Sequence, residues 1–174
     1  MTNEVLKAIE ARRSCRSYLP QQIKSEELDA ITRAGTWAPS GMGRQAARMV
    51  VVQDPQTVAQ LERMNAGVLG NPDAHPFYGA PTVVVVFADS TVPTHLYDGA
   101  LVLGTLQLAA SSVGLGSCWI HRAKEVFASE EGKALMKNWG IGEQYVGIGH
   151  CILGYPQGAF PAPKPRKENY IVKA

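Results

Sequence analysis

Arg12-Arg13-Ser14-Cys15-Arg16 places three guanidinium groups and a hydroxyl within one short run. A guanidinium fork grips an oxyanion through two parallel hydrogen bonds, so the chemistry in view is recognition of a phosphate and a polar ring edge. A second basic pair, Lys164 and Arg166, stands near the other end in the proline-stiffened run Phe160-Pro161-Ala162-Pro163-Lys164-Pro165-Arg166-Lys167. A fold that joins the two clusters makes an anion pocket. Two further runs put glycine, hydroxyl and amide groups at turns: Ala38-Pro39-Ser40-Gly41-Met42-Gly43-Arg44-Gln45, and Gly114-Leu115-Gly116-Ser117-Cys118-Trp119-Ile120 with His121 after it.

Each feature also has a plain structural reading. Arginines at a helix C-terminus satisfy late carbonyls, and a charged tail is usually solvated. Pro39-Ser40-Gly41 stops a helix, Gly114 caps one, and Cys118 or Trp119 can simply fill a core. Cys15 lies among arginines that favour a thiolate, but reads first as a small core residue. His95 and Asp98 share an i, i+3 spacing without a third ligand, so no metal site is expected. His150 reads as a hydrogen-bonded core residue, and His121 as a backbone contributor rather than a ring donor. No Gly-x-Gly-x-x-Gly follows the early strand, which excludes a Rossmann phosphate loop.

The elements that must position these groups follow from periodicity. Val5, Leu6, Ala8 and Ile9 make a helical stripe before the arginines. Ser25 predicts the cap of a second helix, with Leu28, Ile31, Ala34 and Trp37 on its apolar face and Pro39 as its stop. Met49 to Val52 reads as a buried strand, and Pro55 starts a helix through Leu61 and Met64. Residues 65–81 are rich in Gly, Asn and Pro and predict a loop. Thr82 to Phe87 is apolar on both faces, hence a central strand. Leu96 to Val113 is a helix apolar nearly all round, followed by a short strand over Ser117 to His121. One or two helices fill Ala123 to Trp139. Tyr145 to Leu153 is the last strand, where Gly147 and Gly149 predict close backbone approach.

The 174 residues predict one domain with a real core. A hydrophobic content of 45%, charged content of 18% and net charge of +2 exclude disorder and a basic nucleic-acid surface. Three widely spaced cysteines without Cys-x-x-Cys argue for reduced thiols. Met1-Thr2-Asn3-Glu4 lacks the basic and apolar regions of a secretion signal, and no apolar run is long enough to span a bilayer. A cytoplasmic protein without membrane or nucleic-acid partners is the expectation.

Taken together, in order and spacing, Arg12 to Arg16, Ala38 to Gln45, Gly114 to Ile120, and Gly154-Tyr155-Pro156 with Pro163-Lys164-Pro165-Arg166 resemble the nitroreductase family. The resemblance implies an α+β three-layer sandwich, a central mostly antiparallel sheet flanked by helices. It implies a homodimer with FMN at the subunit interface and NADH or NADPH as co-substrate. Nitroaromatics, quinones or flavins would be reduced by ping-pong hydride transfer at N5, with no catalytic side chain. A specialised flavin enzyme of the same family, or a flavin store or sensor without turnover, remains an alternative.

Carried over residue by residue, Arg12 and Ser14 hold the ribityl phosphate with Lys164 and Arg166, and Arg13 contributes through its backbone and stem. Arg16 approaches the N1 and O2 edge, where a cation stabilises the reduced ring. Pro39, Ser40 and Gly41 come from the partner subunit, and Gln45 keeps the family's glutamine. Trp119, Ile120 and His121 pass the ring with backbone N–H groups toward N5. The family's Ser-x-x-Asn-x-Gln-Pro-Trp departs here: Gly43 stands for the asparagine and Ala46-Ala47 for Pro-Trp, while Arg44 and Arg48 add positive charge.

Overall fold

The computed structural model describes residues 2–174; Met1 lies outside them. Helix α1 (Glu4–Ala11) is capped by Asn3, whose Oδ1 accepts from Leu6 N at 2.9 Å. Helix α2 (Ser25–Thr36) begins one residue earlier than the sequence suggests. Lys24 is the cap residue and Ser25 the first helical one, because Glu27 reaches back to accept from Lys24 N at 2.9 Å. Its buried face carries Leu28, Ile31 and Gly35, but Trp37 is 83% exposed just past the helix end. Strand β1 is Ala47–Val52.

Helix α3 (Pro55–Leu69) starts at an Asp54 cap and ends at Gly70, which takes the left-handed φ of 76°. It therefore absorbs residues 65–69, which composition had assigned to the loop. Leu61, Asn65 and Ala66 continue one buried helical face through that stretch, and Gly67 does not interrupt it.

Strand β2 (Thr82–Asp89) is central, paired antiparallel with β1 on one side and with β4 (Tyr145–Gly154) on the other. Strand β3 (Gly116–Ile120) pairs antiparallel with β4, so the sheet runs β1-β2-β4-β3, antiparallel throughout. The alternation of β2 feeds two cores. Val83, Val85 and Phe87 face one, and Val84 and Val86 face the other. Helices α2 and α4 (His95–Ser112) cover the second face. Helix α3, α5 (Ala123–Ala128) and α6 (Glu130–Asn138) cover the first, completing the three layers.

Glycines set the spacing of these layers. A Cβ on Gly99 of α4 would lie 2.6 Å from Ile148 Cγ1, and one on Gly147 of β4 would lie 2.5 Å from the Ala123 carbonyl oxygen. Both positions need a bare backbone. Helix α4 closes through Gly114 at φ 81°, with Leu115 N donating to Ala110 O at 2.8 Å and Gly114 N to Ser111 O at 3.2 Å. That is the paired-bond helix stop glycine favours. The outer side of α4 leaves Leu96, Leu101 and Tyr97 exposed, the last at 72%. Among the described residues no helix is long and apolar enough to cross a membrane.

His150 on β4 is the expected hydrogen-bonded core histidine, though its bond is a long one. It is fully buried between the rings of Phe77 and Phe127, and its Nδ1 lies a long 3.4 Å from Ile120 O. Its Nε2 has no hydrogen-bond partner among the described residues. Burial pushes the imidazole down to about 4. The unfolded chain then takes up a proton below the ordinary value of ~6.5, while the folded chain resists until about 4. Stability contributed by the neutral ring is present above ~6.5 and lost as pH falls through that window, about 3 kcal/mol in all. In His150→Leu, urea unfolding measured from pH 7 down to about 4 should lose less stability than wild type by roughly that amount.

Candidate functional site

The basic run is fastened to the free edge of β3. Cys15 N donates to Ser117 O at 2.8 Å, and Ser14 pairs with Ser117 in a parallel bridge. The following residues are tied to the chain leaving β4: Leu19 N to Tyr155 O at 2.9 Å, Gln157 N to Ser17 O at 2.9 Å, and Tyr18 bridging Pro156. The Tyr18 hydroxyl donates to Cys15 O at 3.0 Å, and burial pushes that phenol up. Tyr155 O–H in turn donates to Glu27 Oε2 at 2.6 Å, holding that carboxyl below its usual range and docking the start of α2.

Within this frame the three arginines are not equivalent. Arg13 Nη1 donates to Glu10 O and to Arg12 O, each at 2.7 Å, so it closes the end of α1. Arg12 is half-buried, and its Nη1 is buried without a hydrogen-bond partner among the described residues. A buried guanidinium nitrogen left unpaired is a donor waiting for an acceptor. Arg16 is exposed, and its charge is the chief influence opposing burial at the Cys118 thiol, whose pKa still moves up. Cys15 is buried in the core with its Sγ 3.2 Å from Ser17 O, as the small-core-residue reading expects. A Cβ on Gly116 would lie 2.7 Å from that Sγ, so the seam closes only over glycine.

The β3 residues divide by face. The Ile120 side chain points into the core, leaving only its backbone to a ligand. Trp119 faces outward, half-exposed, against Gly149, where a Cβ would lie 2.3 Å from the indole Nε1. His121 is exposed, and its carbonyl accepts from Asn65 Nδ2 at 2.8 Å. The same Asn65 accepts from Arg122 Nε at 3.0 Å, and Arg122 stands at φ 76°. Sequence reasoning missed Asn65. Its only signal is an amide on the buried stripe of α3.

Pro39 to Gln45 form an arch before β1. Ser40 Oγ accepts from Gln45 N at 3.0 Å, and Gly41 N donates to Asp98 Oδ1 at 2.9 Å. Met42, Gly43 and Gln45 all take positive φ, at 54°, 66° and 50°. For the two non-glycine residues this costs roughly 1–2 kcal/mol each. A small cavity of about 140 Å³ lies beneath, lined by Pro39, Ser40, Gln45, Met49, Asp98 and Val102. Asp98 thus binds the arch, and His95 bonds through Nδ1 to Val92 O at 2.8 Å; they do not form a shared site. Among the described residues no cluster of three metal-ligating side chains occurs.

In one chain the arch and the basic run stand at opposite edges of the sheet, β1 and β3, three strand spacings or about 14 Å apart. Lys164 and Arg166 lie in an exposed tail, and among the described residues no hydrogen bond or ion pair joins them to Arg12–Arg16. The tail's root is nevertheless beside the cluster, because Gln157 is bonded to Ser17. From there Lys164 is within ~25 Å of extended chain.

This arrangement is that of a known family. The Nitroreductase family model matches residues 9–155, and the chain belongs to that family. A Bacteroides fragilis nitroreductase crystallised with bound FMN is 31% identical, with a TM-score of 0.91 over 99% of this chain and 100% of that one. A Desulfitobacterium hafniense nitroreductase with bound FMN is 30% identical, with a TM-score of 0.89 over the whole of both chains. An Archaeoglobus fulgidus protein described as a candidate NADH dehydrogenase/NAD(P)H nitroreductase is 32% identical over 88% of this chain and 86% of its own length.

The unpaired Arg12 nitrogen makes an anion test direct. Inorganic phosphate should raise the melting temperature of the wild-type protein, and raise that of Arg12→Ala less. Equal shifts in the two proteins would remove Arg12 as an anion-holding group.

Proposed function

We propose that this protein is an FMN-dependent NAD(P)H oxidoreductase of small-molecule acceptors, a single nitroreductase-like domain acting as a homodimer. The observation that carries the reading is Arg12 Nη1, buried and unpaired beside Ser14 on the edge of β3. A donor set of guanidinium, hydroxyl and nearby backbone fits a phosphate monoester, and the outward Trp119 with the cation of Arg16 fits a polar flat ring. FMN, when bound, supplies two-electron redox chemistry between NAD(P)H and an acceptor.

In this reading Arg12 and Ser14 hold the phosphate, and the tail returns Lys164 and Arg166 to complete the clamp. Arg16 would set its cation beside the ring, where it would favour the reduced, more negative form. Arg13 closes α1, so the carried-over role of its stem is subordinate to capping. Trp119, Ile120 and His121 line the ring through β3, with His121 steadied by Asn65.

The separation of the arch from the basic run favours a second chain. Pro39, Ser40, Gly41 and Gln45 can meet the Arg12 cluster when a partner's β1 edge faces this chain's β3 edge. The exposed apolar side chains of α4, with Trp37 and Met42, are the surface such a partner would cover. Nitroaromatics, quinones and flavins are the acceptor classes that membership of the family suggests, and both substrates would dock in turn on one open ring face. Gly43 and Ala46-Ala47 stand where the family has larger groups, which would open space beside the ring or at the subunit seam.

Purified protein should show the absorbance of oxidised flavin, bleach with NADH or NADPH and recover on adding a quinone; bleaching without recovery would indicate a store instead. Arg12→Ala combined with Arg166→Ala should lose FMN during purification while keeping its far-UV spectrum, since each charged contact contributes ~1.5–3 kcal/mol. Full flavin occupancy in that double variant would defeat the phosphate assignment. Arg16→Ala should retain FMN with its potential lowered by roughly 30–60 mV.

A further inference from the structure

We infer that Asp98 is a positioning residue of the flavin cleft: its carboxylate, buried at the start of α4, sets the Pro39–Gln45 arch that forms one wall of that cleft. This rests on the flavin assignment proposed above and adds a residue that sequence reasoning had weighed only as a metal ligand.

Asp98 is 3% exposed, and no cation lies within ion-pair distance of it among the described residues. A buried carboxylate is retained only where its oxygens are satisfied. One oxygen is taken locally, accepting from Thr94 Oγ1 at 3.0 Å. The other reaches 57 residues back along the chain to accept from Gly41 N at 2.9 Å. Its position in the first turn of α4 adds the favourable end of the helix dipole to these bonds. A hydrogen bond accepted by a carboxylate is shorter and stronger than one between neutral groups, so the Gly41 contact is a firm one.

The arch depends on this grip. A Cβ on Gly41 would sit 2.4 Å from Thr94 Oγ1, so the backbone is seated directly on the helix start. Beyond that anchor the chain enters left-handed geometry at Met42, Gly43 and Gln45 and runs exposed, with the cavity beside Ser40 and Gln45. The remaining closure is internal, from Gln45 N to Ser40 Oγ. Ser40 and Gly41, the residues assigned to the cleft wall, are therefore fixed to the body of the protein through Asp98. Side-chain contacts from a larger residue at position 43 are absent here, which concentrates positioning in this bond.

The test uses the full-length FMN-loaded protein with NADH and a quinone. In Asp98→Ala the acceptor KM or the FMN dissociation constant should rise about tenfold, as expected when a charged hydrogen bond is lost. Asp98→Asn keeps an acceptor for Gly41 N and should return both within about threefold of wild type. Thr94→Val, which frees Oδ2 without changing volume, should move the same constants in the same direction by less. It serves as the primary test if Asp98→Ala does not fold. A lower melting temperature with KM, FMN affinity and flavin potential all unchanged would reduce Asp98 to a structural residue and overturn the inference. Wild-type protein that binds no FMN would instead overturn the flavin assignment itself, so the two failures are distinct.

Discussion

The site depends on a backbone seam in which residues 14–19 are threaded between the edge of β3 and the chain leaving β4. Cys15 N–H to Ser117 on one side, and Leu19 N–H to Tyr155 with Gln157 N–H to Ser17 on the other, fix this stretch without using any side chain of the basic run. The fold thus does not draw on the guanidinium groups of Arg12 and Arg16, which keeps them available for the proposed ligand. Because backbone hydrogen bonds tolerate side-chain change, binding chemistry can vary on a fixed rail. Glycine at position 116 is the local condition, since any Cβ there would strike Cys15.

The sheet gives that rail its rigidity. Strand β2 is buried on both faces and feeds a core on each side, so β4 and then β3 are held at a set distance from it. Edge strands invite pairing with further chain, and here the invitation is met by the N-terminal run at β3. The opposite edge, β1, carries the arch. A cleft built from both edges needs two copies of the sheet, which links the proposed chemistry to the proposed assembly through geometry.

Buried polar groups are placed with the same economy. Asn65 serves His121 and Arg122, and Asp98 serves Gly41 and Thr94, each joining elements distant in sequence at a turn. Arg12 and His150 depart from this pattern: among the described residues each keeps one buried nitrogen without a partner, that of His150 lying between two aromatic rings. The fold accommodates His150 by keeping the imidazole neutral, at the expense of acid stability.

Local patterns in the chain determined a good deal alone. The two-faced apolar run of β2, the Pro55 start of α3, the glycine stop after α4 and the tight glycines of β4 are all legible, because each follows from the steric needs of nearby residues. The order of the four motif segments also carried the family. Errors arose where local cues compete. Ser25 was outbid as a cap by the Lys24–Glu27 pairing, Trp37 lies past the helix that was to bury it, and Asn65 to Leu69 stay helical despite a loop-like composition. Only tertiary structure decided that Arg12 keeps a buried nitrogen without a partner among the described residues, that Asp98 grips an arch 57 residues away, and that arch and basic run occupy opposite sheet edges. The physical reason is that a polar group's role is set by which partner remains within hydrogen-bond reach once the layers have closed, and that depends on contacts between segments far apart in the sequence.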